Sequence, residues 1–185
     1  AVLAQLGLGP FQNQLLGGNG IPGVSPEVRK KVTIGVELVP DPSILFLDEP
    51  TTGLDSASAL GVLSLVREVT DNPAAPKSVL CTIHQPAQEL FALFGWILLL
   101  QKGGRVVYFG PIKDMVPYFG TVGFGAPSVD ANPADFALSC SAAGVTTGAA
   151  DAYDASDHKR AIMADAPSDP AAAAAAAGED QRVDA

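Results

Sequence analysis

The chain has 185 residues and a formal net charge of −9 at neutral pH, and this length fits one domain with a sizeable core. The acidic balance argues against nonspecific binding of nucleic acid, which requires a basic face. The longest strongly apolar run, residues 96 to 100, is far shorter than the roughly 20 residues of a membrane-spanning helix. We therefore expect no transmembrane segment in this chain.

The first predicted elements are a short helix end and a glycine-rich loop over residues 1 to 20, followed by a longer helix. Ser25, Pro26 and Glu27 form a strong helix start, because serine can cap a helix, proline suits its first position, and glutamate favours the positive end of the helix dipole. We expect this helix to run to about Val39, where a proline-rich turn stops it.

A parallel strand–helix–strand unit is predicted next. Residues 44 to 47 are apolar at every position, which is typical of a strand buried on both faces of a sheet. A helix over residues 56 to 69, capped by Asp55, and a strand over residues 78 to 83 complete a right-handed crossover.

Shorter elements are predicted in the remaining part of the chain. They are a short helix over residues 86 to 94, a hairpin with strands at 96 to 100 and 105 to 109, and short helices over 112 to 119 and 133 to 138. From Ser141 onward alanine, glycine, aspartate and serine dominate, and such a segment has too few large apolar residues to offset its ordering entropy. We therefore predict a disordered tail over residues 141–185.

The candidate chemistry lies at the ends of the two predicted parallel strands. Asp48 and Glu49 follow the first strand directly, at the sheet edge where α/β proteins bind ligands. Side chains alternate along a strand, so one carboxylate can serve a magnesium ion while the other faces an attacking water. His84 ends the next strand and is expected at the same edge, where a neutral imidazole can donate to a phosphate.

Each of these residues also has a simpler structural explanation. Acids after a strand can begin a solvated turn, a lone histidine is more often structural than catalytic, and Asp55 is fully explained as a helix cap. The basic residues 29 to 31 are expected to form a solvated helix face. We assign no role to His158. Cys81 and Cys140 lack the spacing of a metal site and indicate reduced thiols.

Three segments, in one order, carry a resemblance to a known family. Residues 24–38 resemble the signature segment of ATP-binding cassette (ABC) ATPases, residues 44–55 resemble the Walker B motif and D-loop, and residues 81–86 resemble the switch-histidine segment. Together with residues 103–110 and 132–136, these segments are similar in sequence to the G subfamily and especially to its pleiotropic drug resistance transporters. The resemblance implies an ABC nucleotide-binding domain.

The implied fold is an α/β P-loop NTPase (ABC ATPase) cassette that is only partial. A cassette normally opens with a phosphate-cradling Walker A loop, G-x-x-x-x-G-K-[ST], and no such sequence is present. The resemblance therefore implies the C-terminal part of a nucleotide-binding domain over residues 1–140, followed by the alanine-rich acidic tail over residues 141–185.

The resemblance also implies roles for single residues. Asp48 would hold Mg²⁺ through water, while Glu49 and His84 would be catalytic, Glu49 by polarising the attacking water and His84 by contacting the γ-phosphate. Ser25, Glu27 and Asp55 would contact ATP held by the opposite subunit or lie at the dimer interface. Pro26 and Glu27 stand where the family usually has two glycines; the proline removes one N–H donor and the glutamate adds negative charge. A glutamate at the second of these positions also occurs in the drug-resistance branch, so the proline is the larger departure, and whether this composite site supports hydrolysis stays open.

The implied function is ATP-driven transport across a membrane, with ATP and Mg²⁺ as cofactors and a second nucleotide-binding domain and an ABC transmembrane domain as partners. The chain would act at the cytosolic face of a membrane, and alone it would be soluble, cytoplasmic and inactive. Two alternatives stay open: a noncatalytic half-cassette that binds an intact nucleotide-binding domain, and a soluble ABC ATPase of translation or DNA repair. Residues 103–110 and 132–136 argue against the second.

Overall fold

The computed structural model describes residues 2–18, 20–73, 75–128 and 131–165. The chain divides into two compact units, residues 1–93 and 94–185. The first unit contains, in chain order, α1 (Val2–Gln5), a 3-10 turn (Gly9–Phe11), α2 (Pro26–Leu38), β1 (Ile44–Leu47), α3 (Ser56–Thr70), β2 (Ser78–Cys81) and α4 (Gln88–Phe91).

The two long helices of the first unit begin at capping residues, as the sequence predicts. The Ser25 side chain accepts a hydrogen bond from the Val28 N–H at 3.3 Å, with Pro26 at the first helical position of α2. The Asp55 carboxylate accepts one from the Ser58 N–H at 2.9 Å at the start of α3. Each cap satisfies a backbone donor that the first turn of a helix leaves without an intrahelical partner.

Strands β1 and β2 pair in parallel, with Leu47 opposite Cys81. The Thr82 N–H donates to the Leu47 carbonyl at 3.0 Å, one residue beyond β2. The predicted second strand extends to residue 83, but β2 ends at Cys81, because β1 ends at Leu47 and offers no further partner.

The core of the first unit covers only one face of this sheet. Leu45 and Leu47 are buried among apolar residues of α2 and α3, whereas Ile44 and Phe46 are 57% and 71% exposed. The prediction that β1 is buried on both faces is therefore wrong for the described residues of this unit. Side chains alternate along a strand, and the helices lie against one side only.

The second unit is built on an antiparallel hairpin of β3 (Trp96–Leu100) and β4 (Val106–Pro111), with Leu98 opposite Phe109. Four helices follow: α5 (Ile112–Thr121), α6 (Pro133–Thr147), α7 (Ala149–Ala155) and α8 (Asp157–Asp165). Tyr108 on β4 and Phe119 on α5 are both fully buried, and their ring centroids lie 6.1 Å apart. The predicted hairpin is confirmed.

The prediction that order ends at Ser141 is wrong for residues 141–165. The Ser141 hydroxyl donates to the Leu100 carbonyl at 2.9 Å, and Tyr153 on α7 is only 4% exposed. Arg105, just before β4, pairs with Asp151 at 2.6 Å and Asp154 at 3.1 Å. One aromatic ring and a few ion pairs therefore anchor helices that are otherwise poor in large apolar residues. The predicted boundary at residue 140 falls inside α6, and residues 166–185 lie outside the described residues.

The predicted fold class also needs correction. The described residues form two separate two-stranded sheets, one parallel and one antiparallel, rather than the larger parallel sheet of a P-loop NTPase cassette. No helix among the described residues is both long enough and apolar enough to cross a membrane.

Candidate functional site at the carboxyl end of β1

Thr82 joins the two acids that follow β1. Its hydroxyl donates to the Asp48 carboxylate (Oγ1 to Oδ1, 2.7 Å) and accepts from the Glu49 N–H at 2.9 Å. A threonine hydroxyl has one proton to give and two lone pairs to accept with, so both bonds form at once. The parallel register sets this arrangement, because pairing Leu47 with Cys81 places Thr82 beside Asp48.

Glu49 has an uncommon backbone conformation. Its φ is +44°, a region that costs a residue other than glycine about 1–3 kcal/mol. The Thr52 hydroxyl donates to its carboxylate at 2.8 Å, and Lys30 of α2 donates to its carbonyl at 3.3 Å. Together with the bond to Thr82, these contacts tie both the backbone and the side chain of Glu49.

His84 lies three residues beyond the end of β2, not on the strand, and its side chain is exposed. None of the hydrogen bonds found among the described residues links it to Asp48 or Glu49. Among the residues that the structure describes, no group of three or more histidine, cysteine, aspartate or glutamate side chains could hold a metal ion. Hydrogen bonds through Thr82 thus link Asp48 and Glu49, and none in the described part of the chain adds His84 to them.

The other three residues predicted to contact ATP form local hydrogen bonds or ion pairs. Ser25 and Asp55 cap α2 and α3, and Glu27 pairs with Lys31 at 2.6 Å, one turn along α2. Hydrogen bonds from Ser58 hold the pKa of Asp55 below its ordinary value. These interactions agree with the simpler structural explanation and do not test a ligand contact.

The donor chemistry of the strand end fits magnesium bound together with phosphates. Asp48, Glu49 and Thr82 are exposed, and they offer hard oxygen ligands of the kind that Mg²⁺ prefers. Two carboxylates cannot complete an octahedral shell, but Mg²⁺ commonly keeps several waters and uses one or two carboxylates with substrate phosphates. Burial raises the pKa of the nearby Cys81 thiol to about 11, so this group is neutral at pH 7 and adds no thiolate ligand.

Sequence reasoning missed Thr82 and Lys30. Thr82 could have been found by counting the register, since equal strand lengths place the residue after β2 beside the residue after β1. Lys30 was assigned to a solvated helix face, and its contact with the Glu49 carbonyl depends on how α2 packs on the sheet. No local pattern in the sequence reveals that packing.

Comparisons with known proteins find similarity between this chain and transporters. Residues 84–156 match a family model described as ABC-2 type transporter. The chain is 44% identical to ABC transporter G family member 2 of Dictyostelium discoideum over 74% of its own length, and 44% identical to ATP-dependent permease PDR12 of Saccharomyces cerevisiae over 78%. It is 43% identical to ABC transporter G family member 40 of rice (Oryza sativa subsp. japonica) over 76%. Each alignment covers 10% of the relative.

These findings support one part of the sequence interpretation and correct another. In sequence, the chain is similar to a segment of G-family ABC transporters and spans about a tenth of the length of the curated relatives it matches. Its identification as a nucleotide-binding domain is overturned, because the ABC-2 type model that matches residues 84–156 is that of the membrane domain of such transporters. Asp48 and Glu49 precede the residues that this family model matches, and their roles stay predictions.

Proposed function

We propose that this chain takes part in ATP-driven transport across a membrane, and that the carboxyl end of β1 binds Mg²⁺ together with the phosphates of ATP. The observation that carries the proposal is the exposed acidic pair Asp48 and Glu49, in which the Thr82 hydroxyl bonds both the Asp48 carboxylate and the Glu49 backbone N–H. The name of the yeast relative, an ATP-dependent permease, supports the transport part of the proposal.

Three residues of the chain would have different roles at this site. Asp48 would hold the metal, directly or through water. Glu49 would orient a water and accept its proton, since a carboxylate that accepts one bond from Thr52 has further acceptor capacity. His84 is exposed and would donate to a phosphate oxygen. Bound Mg²⁺ would supply the positive charge that neutralises phosphate oxygens.

The remaining proposed contacts involve other parts of a transporter. Ser25, Glu27 and Asp55 would face ATP at a contact with a nucleotide-binding partner, and an ABC membrane domain would be the second partner. Capping leaves Ser25 and Asp55 exposed, so their oxygens are accessible to such a partner. The setting of this function is a membrane.

The test measures binding of Mn²⁺–ATP, with Mn²⁺ as a paramagnetic substitute for Mg²⁺, through the relaxation rate of water protons. The wild-type chain should raise this rate, and Asp48→Asn should lower the affinity about 10-fold or more, since an interaction with a charged group contributes about 1.5–3 kcal/mol. Glu68→Gln is the matched control, because it removes one negative charge from the exposed side of α3. Equal affinity in the wild type, Asp48→Asn and Glu68→Gln would refute the assignment of Asp48.

A further inference from the structure

We propose that Thr82 is a positioning residue that sets the orientation of the Asp48 carboxylate for the metal. This inference rests on the proposed function and adds to it a residue that sequence reasoning did not select. The supporting geometry is the 2.7 Å bond from the Thr82 hydroxyl to Asp48 Oδ1, between side chains that are 34 positions apart in the chain.

The position of Thr82 makes it suited to this role. Its N–H donates to the Leu47 carbonyl at 3.0 Å, so the backbone of Thr82 continues the β1–β2 ladder. Its hydroxyl therefore projects from a fixed backbone rather than from a free loop. The bond occupies one Asp48 oxygen, which restricts rotation of the carboxylate and presents the second oxygen in a defined direction.

Thr82 also supports Glu49. The Glu49 N–H donates to Thr82 Oγ1 at 2.9 Å while Glu49 has its positive φ. One hydroxyl thus orients the carboxylate of Asp48 and helps to hold the strained backbone of Glu49. Groups that hydrogen-bond to metal-ligating side chains typically change metal affinity 10- to 100-fold when they are removed.

The experiment measures Mn²⁺–ATP affinity of the full chain by water-proton relaxation in four variants: Thr82→Val, Thr82→Ser, Asp48→Asn and the double variant Asp48→Asn/Thr82→Val. Valine keeps the shape of threonine and removes the hydroxyl, so Thr82→Val should weaken binding about 10-fold. Serine keeps the hydroxyl and should restore most of the affinity. In the Asp48→Asn background, Thr82→Val should have little further effect, because its action passes through Asp48.

Amide hydrogen exchange separates positioning from general loss of structure. Thr82→Val should speed exchange of the Glu49 N–H, which loses its acceptor, while the Thr82 N–H keeps its bond to Leu47 and its protection. Loss of protection at both amides in Thr82→Val, without recovery of affinity in Thr82→Ser, would overturn the positioning role in favour of a purely structural one.

The outcomes also distinguish this inference from the proposed function. Wild-type affinity in Thr82→Val together with weakened binding in Asp48→Asn would overturn the role of Thr82 alone. A loss of binding free energy in the double variant that equals the sum of the two single-variant losses would show that Thr82 does not act through Asp48. No binding by the wild-type chain would overturn the proposed site and, with it, the role of Thr82.

Discussion

Replacing Tyr153 by alanine should detach α7 from the β3–β4 hairpin. Tyr153 is 4% exposed and packs edge-on against Tyr118 with ring centroids 6.1 Å apart. Truncating a buried aromatic side chain to alanine commonly costs about 3–5 kcal/mol, and we expect a value near the lower end because α7 has only seven residues. The loss should appear in the local stability of α7 and β4.

Tyr153→Phe is the matched control. The Tyr153 hydroxyl lies 3.5 Å from the Phe109 carbonyl, at the outer limit for a hydrogen bond, so its removal should cost less than about 1 kcal/mol. Amide hydrogen exchange at residues 106–110 and 149–155 measures both effects. Unchanged protection in Tyr153→Ala, or fast exchange of α7 already in the wild type, would refute the packing of residues 149–155 on the hairpin.

Three further predictions test local features. Asp55→Ala should destabilise α3 by about 1 kcal/mol while Asp55→Asn retains most of the cap, as urea unfolding measures; equal losses would contradict the capping role. Lys159 and Arg105 lower the pKa of Asp154, so the stability that Asp154 adds should be complete above its ordinary pKa of about 3.8 and should fall as pH drops through the lowered value. Hydrogen exchange of α7 between pH 6 and pH 3 should show that slope, and Asp154→Asn should reduce it. Gly110→Ala should destabilise the hairpin by about 1–3 kcal/mol, because a Cβ there would lie 2.8 Å from His158 Nε2 and 2.9 Å from Tyr108 Oη. Thermal unfolding measures this loss. Gly120→Ala is the control, because its Cβ would enter open space.

Local signals in the sequence predicted the element boundaries that depend on one or two residues. The cap at Ser25 with Pro26 and the cap at Asp55 fix the starts of α2 and α3, and the residue types alone predict both. The strand β1 was predicted with its observed bounds, because four apolar residues lie between turn residues.

Features that depend on packing could not be predicted in the same way. The exposure of Phe46 follows from where the helices lie, not from the strand's composition. The order of residues 141–165 depends on contacts with residues far away in the chain, such as Arg105 with Asp151. At the candidate site, the acids were visible as a motif after an apolar run, but Thr82 became visible only through the strand register.

The most direct test of the account is a map of Mn²⁺–ATP on the isotope-labelled chain by paramagnetic broadening of its amide signals in NMR. Broadening falls steeply with distance from the metal, so it reports location as well as binding. The account predicts the strongest broadening at residues 47–49 and 82, its loss in Asp48→Asn, and its retention in Glu68→Gln. Broadening spread evenly over the acidic residues of the chain, or centred away from the carboxyl ends of β1 and β2, would contradict the central claim.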